Sequence, residues 1–330
     1  MDPVEIAQPL VDIDSTTGRE GAACAWLAAF LRVRGYDVIE QPVSSGRANI
    51  FARLSAPPRV VFSTHVDCVP PFVPSARRDG KLFGRGACDA KGILAAQVCA
   101  AERLRAAGES RIGLLFVVGE ERGSDGARAA NDLAPEGVSF LVNGEPTENR
   151  LGAATRGVLR VRLRASGRAA HSSFPDLGES AIDKLLDALM AVRGIALPED
   201  PLLGRTHYSI GVIDGGVAPN VIPPHASAEL LFRTVGEGRP VRDLLRAVEP
   251  LVAVEEVLEM PAVKLHTVPG FETAVFPYTT DVPFLTRWGR PLLLGPGSIH
   301  VAHTDDEHVG LDDLRRAVEL YAGLATHLLR

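Results

Sequence analysis

The chain has 330 residues, 46% apolar and 23% charged, with a formal net charge of −6. Those figures describe a globular protein long enough for two domains, and the net acidity without a Lys/Arg cluster argues against nucleic acid or an anionic membrane as main partner. No apolar run approaches the roughly 20 residues of a membrane-spanning helix. The acidic start Met1-Asp2-Pro3-Val4-Glu5 lacks the basic and apolar regions of a signal peptide. Cys24, Cys68, Cys88 and Cys99 form neither a CxxC pair nor a disulfide framework, so a cytoplasmic protein is expected.

In chain order, Arg19–Arg34 carries apolar residues at helical spacing and ends at Gly35, which predicts a helix. Tyr36–Val43, Asn49–Leu54 and Val60-Val61-Phe62 read as strands, the last running into His65-Val66-Asp67. Gly92–Ala107 reads as a helix, and Ile112–Val118 and Phe140–Asn143 read as buried strands. This alternation predicts an α/β unit, a mostly parallel sheet with helices on both faces. From Val158 the pattern changes: Val158–Ala165 alternates apolar residues with Arg160, Arg162 and Arg164, as a strand with one wet face does. A helix at Ser180–Arg193, strands near Tyr208–Ile213 and Ala226–Arg233, a helix near Val241–Val252 and a further strand give the order β-α-β-β-α-β of a ferredoxin-like unit. Leu292–Leu294 and a helix at Leu311–Leu329 return to α/β character. The reading is one α/β domain (residues 1–156 and 267–330) interrupted by an α+β insertion (157–266).

Several polar residues follow strand runs, where ligands collect in parallel sheets. His65 and Asp67 project to one side of an extended backbone. Gly84–Gly92 is a glycine-rich turn delivering Asp89 to a helix start, where the simplest role is a helix cap. Glu120 and Glu121 are adjacent carboxylates at the mouth of a buried strand; a solvated loop start would explain them equally well. Glu145 ends the next strand, and His303 lies in a polar loop before the last helix. Each is ambiguous alone. Together they supply two imidazoles and several carboxylates, a set suited to zinc or a similar divalent ion and numerous enough for two ions sharing a carboxylate.

The motifs His65-Val66-Asp67, Asp79–Gly92, Gly119-Glu120-Glu121, Asn143–Thr147, Ala170-His171-Ser172-Ser173, Gly215–Pro223 and Ala302–Glu307 occur in an order that resembles the dinuclear zinc amidohydrolases typified by acetylornithine deacetylase, succinyl-diaminopimelate desuccinylase and glutamate carboxypeptidase. The resemblance implies a zinc-peptidase-like fold with a dimerisation, or lid, domain. It implies that His65 and Glu145 hold one zinc, Glu121 and His303 the other, and that Asp89 bridges them, with Co(2+) or Mn(2+) as possible substitutes. Asp67 would support His65, and Glu120 would be the general base. His171 would reach into the site of a partner subunit in a homodimer, and Arg233, Asn220 and the Gly297 loop would contact the substrate.

The strand Val158–Ala165 is expected to offer an edge for pairing between subunits. Cys68 and Cys88 are expected to be packing cysteines, and Asp281 has no assigned role. The expected substrate is an N-acyl amino acid, with a dipeptidase or carboxypeptidase activity, or succinyl-diaminopimelate desuccinylation, as the alternatives. An inactive scaffold on this fold is disfavoured because Glu120 accompanies the whole ligand set, and a serine hydrolase because no GxSxG elbow occurs.

Overall fold

The computed structural model describes all 330 residues, and the chain divides into two compact units. The first comprises residues 1–153, 265–274 and 280–330; the second comprises 154–264 and the short segment 275–279.

The first unit is built on strands whose side chains are apolar on both faces. Val60–His65 and Ile112–Val117 are buried along their whole length, so both faces of their sheet must be covered. The sheet runs Asp37–Ser44, Arg47–Arg53, Ile112–Val117, Val60–His65, Phe140–Asn143, Arg290–Leu293. Its last four strands are parallel, and the first two form an antiparallel hairpin at one edge. Residues such as Ile50, Val60, Phe62, Leu114 and Phe116 face the larger core, shared with the helices Val4–Val11, Gly21–Val33, Lys91–Ala106 and Leu311–Leu328. Their alternates Phe51, Val61, Leu115 and Val117 pack with Trp288, Leu285 and the short helix Asp125–Ala130 on the other face. The helix Val4–Val11 was not foreseen from the sequence, because Pro9 inside it removes a backbone donor. Five buried apolar residues, Val4, Ile6, Ala7, Leu10 and Val11, hold it in place. No helix is long and apolar enough to cross a membrane.

The second unit has a four-stranded sheet in the order His207–Gly215, His225–Thr234, Gly157–Ser166, Ala253–Met260, with every neighbouring pair antiparallel. Helices Ala181–Arg193 and Arg239–Leu245 cover the face carrying Leu159, Val161, Leu163, Leu230 and Phe232. Ser180 caps the longer helix, its Oγ accepting the Asp183 amide at 3.1 Å. The alternation over Val158–Ala165 is observed, with Leu159, Val161 and Leu163 fully buried and Arg160 and Arg164 exposed. Its expected position is corrected: this strand is interior, paired on both sides, and the sheet edges are His207–Gly215 and Ala253–Met260. Alternation reports the wet face of a strand and carries no information about which neighbours its backbone finds. The second helix ends at Leu245 and tightens into a 3₁₀ turn at Arg246–Val248, short of the expected Val252.

Candidate metal centre

Parallel strands bring their carboxyl ends to one edge of the sheet, and the polar residues identified from the sequence gather there. His65 is the last residue of its strand. Beyond Ile112–Val117 the chain reverses at Gly119, whose φ of +79° opens the 3₁₀ turn Glu120–Arg122. A Cβ at Gly119 would lie 2.0 Å from Asp125 Oδ1, so only glycine fits. Glu145 follows Phe140–Asn143 by two residues, and Asp89 precedes the helix Lys91–Ala106. His303 sits in the loop before Leu311–Leu328 with a left-handed backbone, φ +64°.

His65 Nε2 lies 3.0 Å from Asp89 Oδ1, and His303 Nε2 lies 3.3 Å from Asp89 Oδ2 and 2.9 Å from Glu121 Oε1. Three overlapping sets have all their ligand atoms within 4.8 Å: His65 with Asp89 and Glu145, Asp89 with Glu121 and His303, and His65 with Glu120 and Glu121. The first two share Asp89. Asp89 does not cap the helix that follows it; the N-cap is Ala90, without a side-chain hydrogen bond, and both Asp89 oxygens face imidazoles. Glu145 Oε1 is buried with no hydrogen-bond partner, an uncompensated acceptor that a cation would satisfy. Imidazole nitrogens and carboxylate oxygens in two groups joined by a carboxylate fit a pair of divalent ions.

The electrostatics agree. Burial raises the pKa of Glu145 well above the ordinary carboxylate value, and the nearby Asp89 and Glu120 charges add to it. Glu120 is raised in the same way, by burial and then by Asp281, Glu121 and Asp89, although His65 opposes the shift. Burial would lower the pKa of His65, but the facing Asp67 and Asp89 carboxylates outweigh it and raise it well above the ordinary value. Hydrogen bonds to Asp89 and Glu121 push His303 up to about 10. Two groups of carboxylates around two imidazoles therefore hold an excess of negative charge that favours cations.

Asp67 has a fuller role than support of His65. Its carboxylate accepts the Glu120 amide at 3.1 Å, the Glu121 amide at 3.2 Å and the Thr17 hydroxyl at 2.8 Å. The His65 ring meets the Asp67 carbonyl oxygen at 3.0 Å and its carboxylate only at 3.6 Å. Thr17 was missed in the sequence, where nothing in Ser15-Thr16-Thr17-Gly18 marks it as a partner of Asp67.

Asp281 is buried beside this cluster, with neither oxygen hydrogen-bonded, and burial pushes its pKa up to about 7. Cys68 and Cys88 are buried thiols, pushed up by burial to about 11 and well above the ordinary value respectively. Cys88 packs beneath the glycine loop: a Cβ at Gly297, where φ is +79°, would lie 2.5 Å from Cys88 Sγ. His300 and His308 join no ligand set; the Nε2 of His308 meets Lys81 Nζ at 3.0 Å.

The remaining sequence candidates belong to the second unit. His171 and Asn220 are exposed, and the segments carrying them run side by side, with a bridge between His171 and Val221 and the Ser172 amide donating to the Asn220 carbonyl at 3.0 Å. Arg233, near the end of His225–Thr234, is half-buried with no carboxylate at ion-pairing distance, and burial lowers its pKa.

A sequence profile described as Peptidase family M20/M25/M40 matches residues 61–327. A probable carboxypeptidase of Aspergillus clavatus is 38% identical over 361 residues, covering 96% of this chain and 80% of its own. Among solved structures, the aminopeptidase PepT of Bacillus cereus superposes with a TM-score of 0.84 at 19% identity, covering 100% of this chain and 98% of its own. A dinuclear metal-binding M20 peptidase of Bacillus subtilis gives a TM-score of 0.76 at 16% identity, covering 99% and 97%.

Proposed function

This chain is a metallopeptidase of peptidase family M20/M25/M40, and we propose that it is a carboxypeptidase or dipeptidase acting on small peptides through two zinc ions. His65, Asp89 and Glu145 would hold one ion and Asp89, Glu121 and His303 the other; the sharing of Asp89 between two three-ligand sets is the observation that carries this reading. Carboxypeptidase action was the alternative expectation from the sequence. It now stands ahead of acetylornithine-type deacylation because the similar Aspergillus protein is named a probable carboxypeptidase.

When bound, the ions would polarise the scissile carbonyl and acidify the attacking water. Glu120, held at the turn by the Asp67 carboxylate, would take the proton from that water and deliver it to the leaving amine. Arg233 would read the free carboxylate of the substrate, since a half-buried guanidinium without an ion pair is ready for such a partner. Asn220 and the Gly297 loop would be further contacts of the substrate. The second unit would join two copies as a homodimer, with His171 stabilising the oxyanion in the partner's site. Mixing inactive His171→Ala with inactive Glu120→Gln should then restore activity, and no recovery after proven subunit exchange would place His171 outside any site.

The substrate reading is tested with a set of dipeptides carrying a free, amidated or methylated C-terminus, assayed with zinc or cobalt. Loss of a charge-assisted partner costs about 1.5–3 kcal/mol, so the blocked peptides should react roughly tenfold to a hundredfold more slowly, and Arg233→Ala should narrow that gap. Equal rates on free and amidated peptides would remove Arg233 as anchor and favour recognition at the amino end. A preference for N-acetyl amino acids over dipeptides would return the deacylase reading.

A further inference from the structure

Glu307 and Arg85 lie beside the metal centre and take no part in the ligand sets. They form an ion pair at 2.7 Å, each with 2% of its side chain exposed. Burying two charges is costly unless their remaining hydrogen-bonding capacity is used, and here it is spent on backbone. Glu307 Oε1 accepts three amides of the turn that carries Asp89: Gly86 at 2.9 Å, Cys88 at 3.2 Å and Asp89 itself at 3.1 Å. The Glu307 carbonyl accepts the Gly84 amide at 3.1 Å. Arg85 Nη1 donates to the Thr304 carbonyl at 3.1 Å, next to His303, and Arg85 Nε donates to the Pro71 carbonyl at 3.2 Å, on the loop that follows His65 and Asp67.

Three segments that carry candidate ligands are thus tied to one pair of side chains. The turn 84–89 enters the helix Lys91–Ala106 without a side-chain cap, so Glu307 is the acceptor that its amides would otherwise lack. The same glutamate is four residues from His303, whose left-handed backbone needs support from its surroundings.

Resting on the two-ion reading above, we infer that Glu307 and Arg85 are positioning residues that set the spacing between Asp89 and His303, so that the Asp89–Glu121–His303 ion site and the shared carboxylate are formed before an ion arrives. They touch neither substrate nor ion and act through Asp89 and His303.

The test uses the full chain, stripped of metal and titrated with zinc by calorimetry. Glu307→Gln retains the shape and one acceptor oxygen but turns an N–H group toward Arg85 or the turn amides. The expected result is a folded protein in which the weaker zinc equivalent binds at least tenfold less tightly. With zinc in excess, kcat falls at least tenfold while KM stays within about twofold. A residue that merely stabilises the fold would lower the unfolding temperature of the metal-free chain and leave zinc affinity and kcat unchanged. That outcome overturns the inference. Should Glu307→Gln fail to fold, Arg85→Lys carries the same test. It keeps the buried cation but loses the fork to Thr304 and Pro71, and wild-type zinc binding and kcat in that variant are equally fatal. Failure of wild type itself to bind two equivalents would sink the two-ion reading instead, a separate and distinguishable result.

Discussion

Substituting Asp67 with asparagine tests how the turn that carries the proposed base Glu120 is held. Asp67 is fully buried, and its two oxygens accept from the Glu120 amide at 3.1 Å, the Glu121 amide at 3.2 Å and the Thr17 hydroxyl at 2.8 Å. Oδ1 serves Glu120 and Oδ2 serves Glu121 and Thr17, so either orientation of the introduced carboxamide places an NH₂ donor against a backbone N–H. A hydrogen bond to a charged group contributes ~1.5–3 kcal/mol, and at least one such bond is lost. Asp67→Asn should therefore destabilise the metal-free chain by about 2 kcal/mol. Because the released turn carries Glu120, kcat on a dipeptide should fall at least roughly tenfold with KM nearly unchanged.

The pH dependence has a definite sign. Burial pushes the Asp67 pKa up, but the facing His65 imidazole and the hydrogen bonds from Thr17 and the Glu121 amide more than offset it, so the native value lies below the unfolded one. The stabilisation is then fully present above the unfolded value of about 3.9 and is lost as pH falls through the native value. Urea unfolding of wild type and variant between pH 3 and 8 measures it: the gap should be constant near neutrality and close in acid. An unchanged urea midpoint at pH 7, or a gap that widens in acid, would refute the reasoning.

Glu120→Gln should abolish turnover, by ~10²–10⁴ or more, while retaining wild-type metal content, whereas Asp89→Ala should lose metal on dialysis because the two proposed ion sites share Asp89. Metal analysis beside the peptidase assay separates the two, and retention of two equivalents by Asp89→Ala would show that it bridges nothing. Gly297→Ala should destabilise by ~1–3 kcal/mol, from the 2.5 Å contact with Cys88 Sγ and from a φ of +79°. Thermal melts should show Cys88→Ala recovering only part of that loss, since it removes the contact and leaves the backbone strain; simple additivity would discard the packing explanation.

The α/β order was legible because buried strands such as Ile112–Val117 and the helix Leu311–Leu328 carry strong, long patterns. The insertion was legible because Val158–Ala165 switches to strict alternation. The helices Val4–Val11 and Asp125–Ala130 were not, the first because Pro9 masks a pattern that tertiary burial sustains, the second because six residues hold too little periodicity to register. Sheet order was beyond reach for the same reason that the strand Gly157–Ser166 was misplaced at an edge: hydrogen-bonded neighbours are chosen by chain path. His65, Asp89, the Glu120/Glu121 pair, Glu145 and His303 were legible as residue types at strand ends or in loops, and the structure brings their candidate ligand atoms into overlapping sets.

What no single stretch of sequence separates is the two uses of acid in this centre. Asp89 and Glu121 direct carboxylate oxygens at imidazoles, and Glu145 leaves one buried oxygen without a hydrogen bond. Asp67 and Glu307 spend theirs on amides: Asp67 on the turn that carries Glu120 and Glu121, Glu307 on the turn that carries Asp89. Both kinds sit within or beside the same short motifs and are chemically alike. The distinction lies in the backbone, since a carboxylate facing several N–H groups is already satisfied and has little to offer a cation, whereas one facing imidazoles and other carboxylates is not. The second group therefore makes the first usable. Ligands contributed by separate strand ends and loops have no local structure to fix their spacing, and the amide-bound acids supply the ties between those segments that the sheet alone does not.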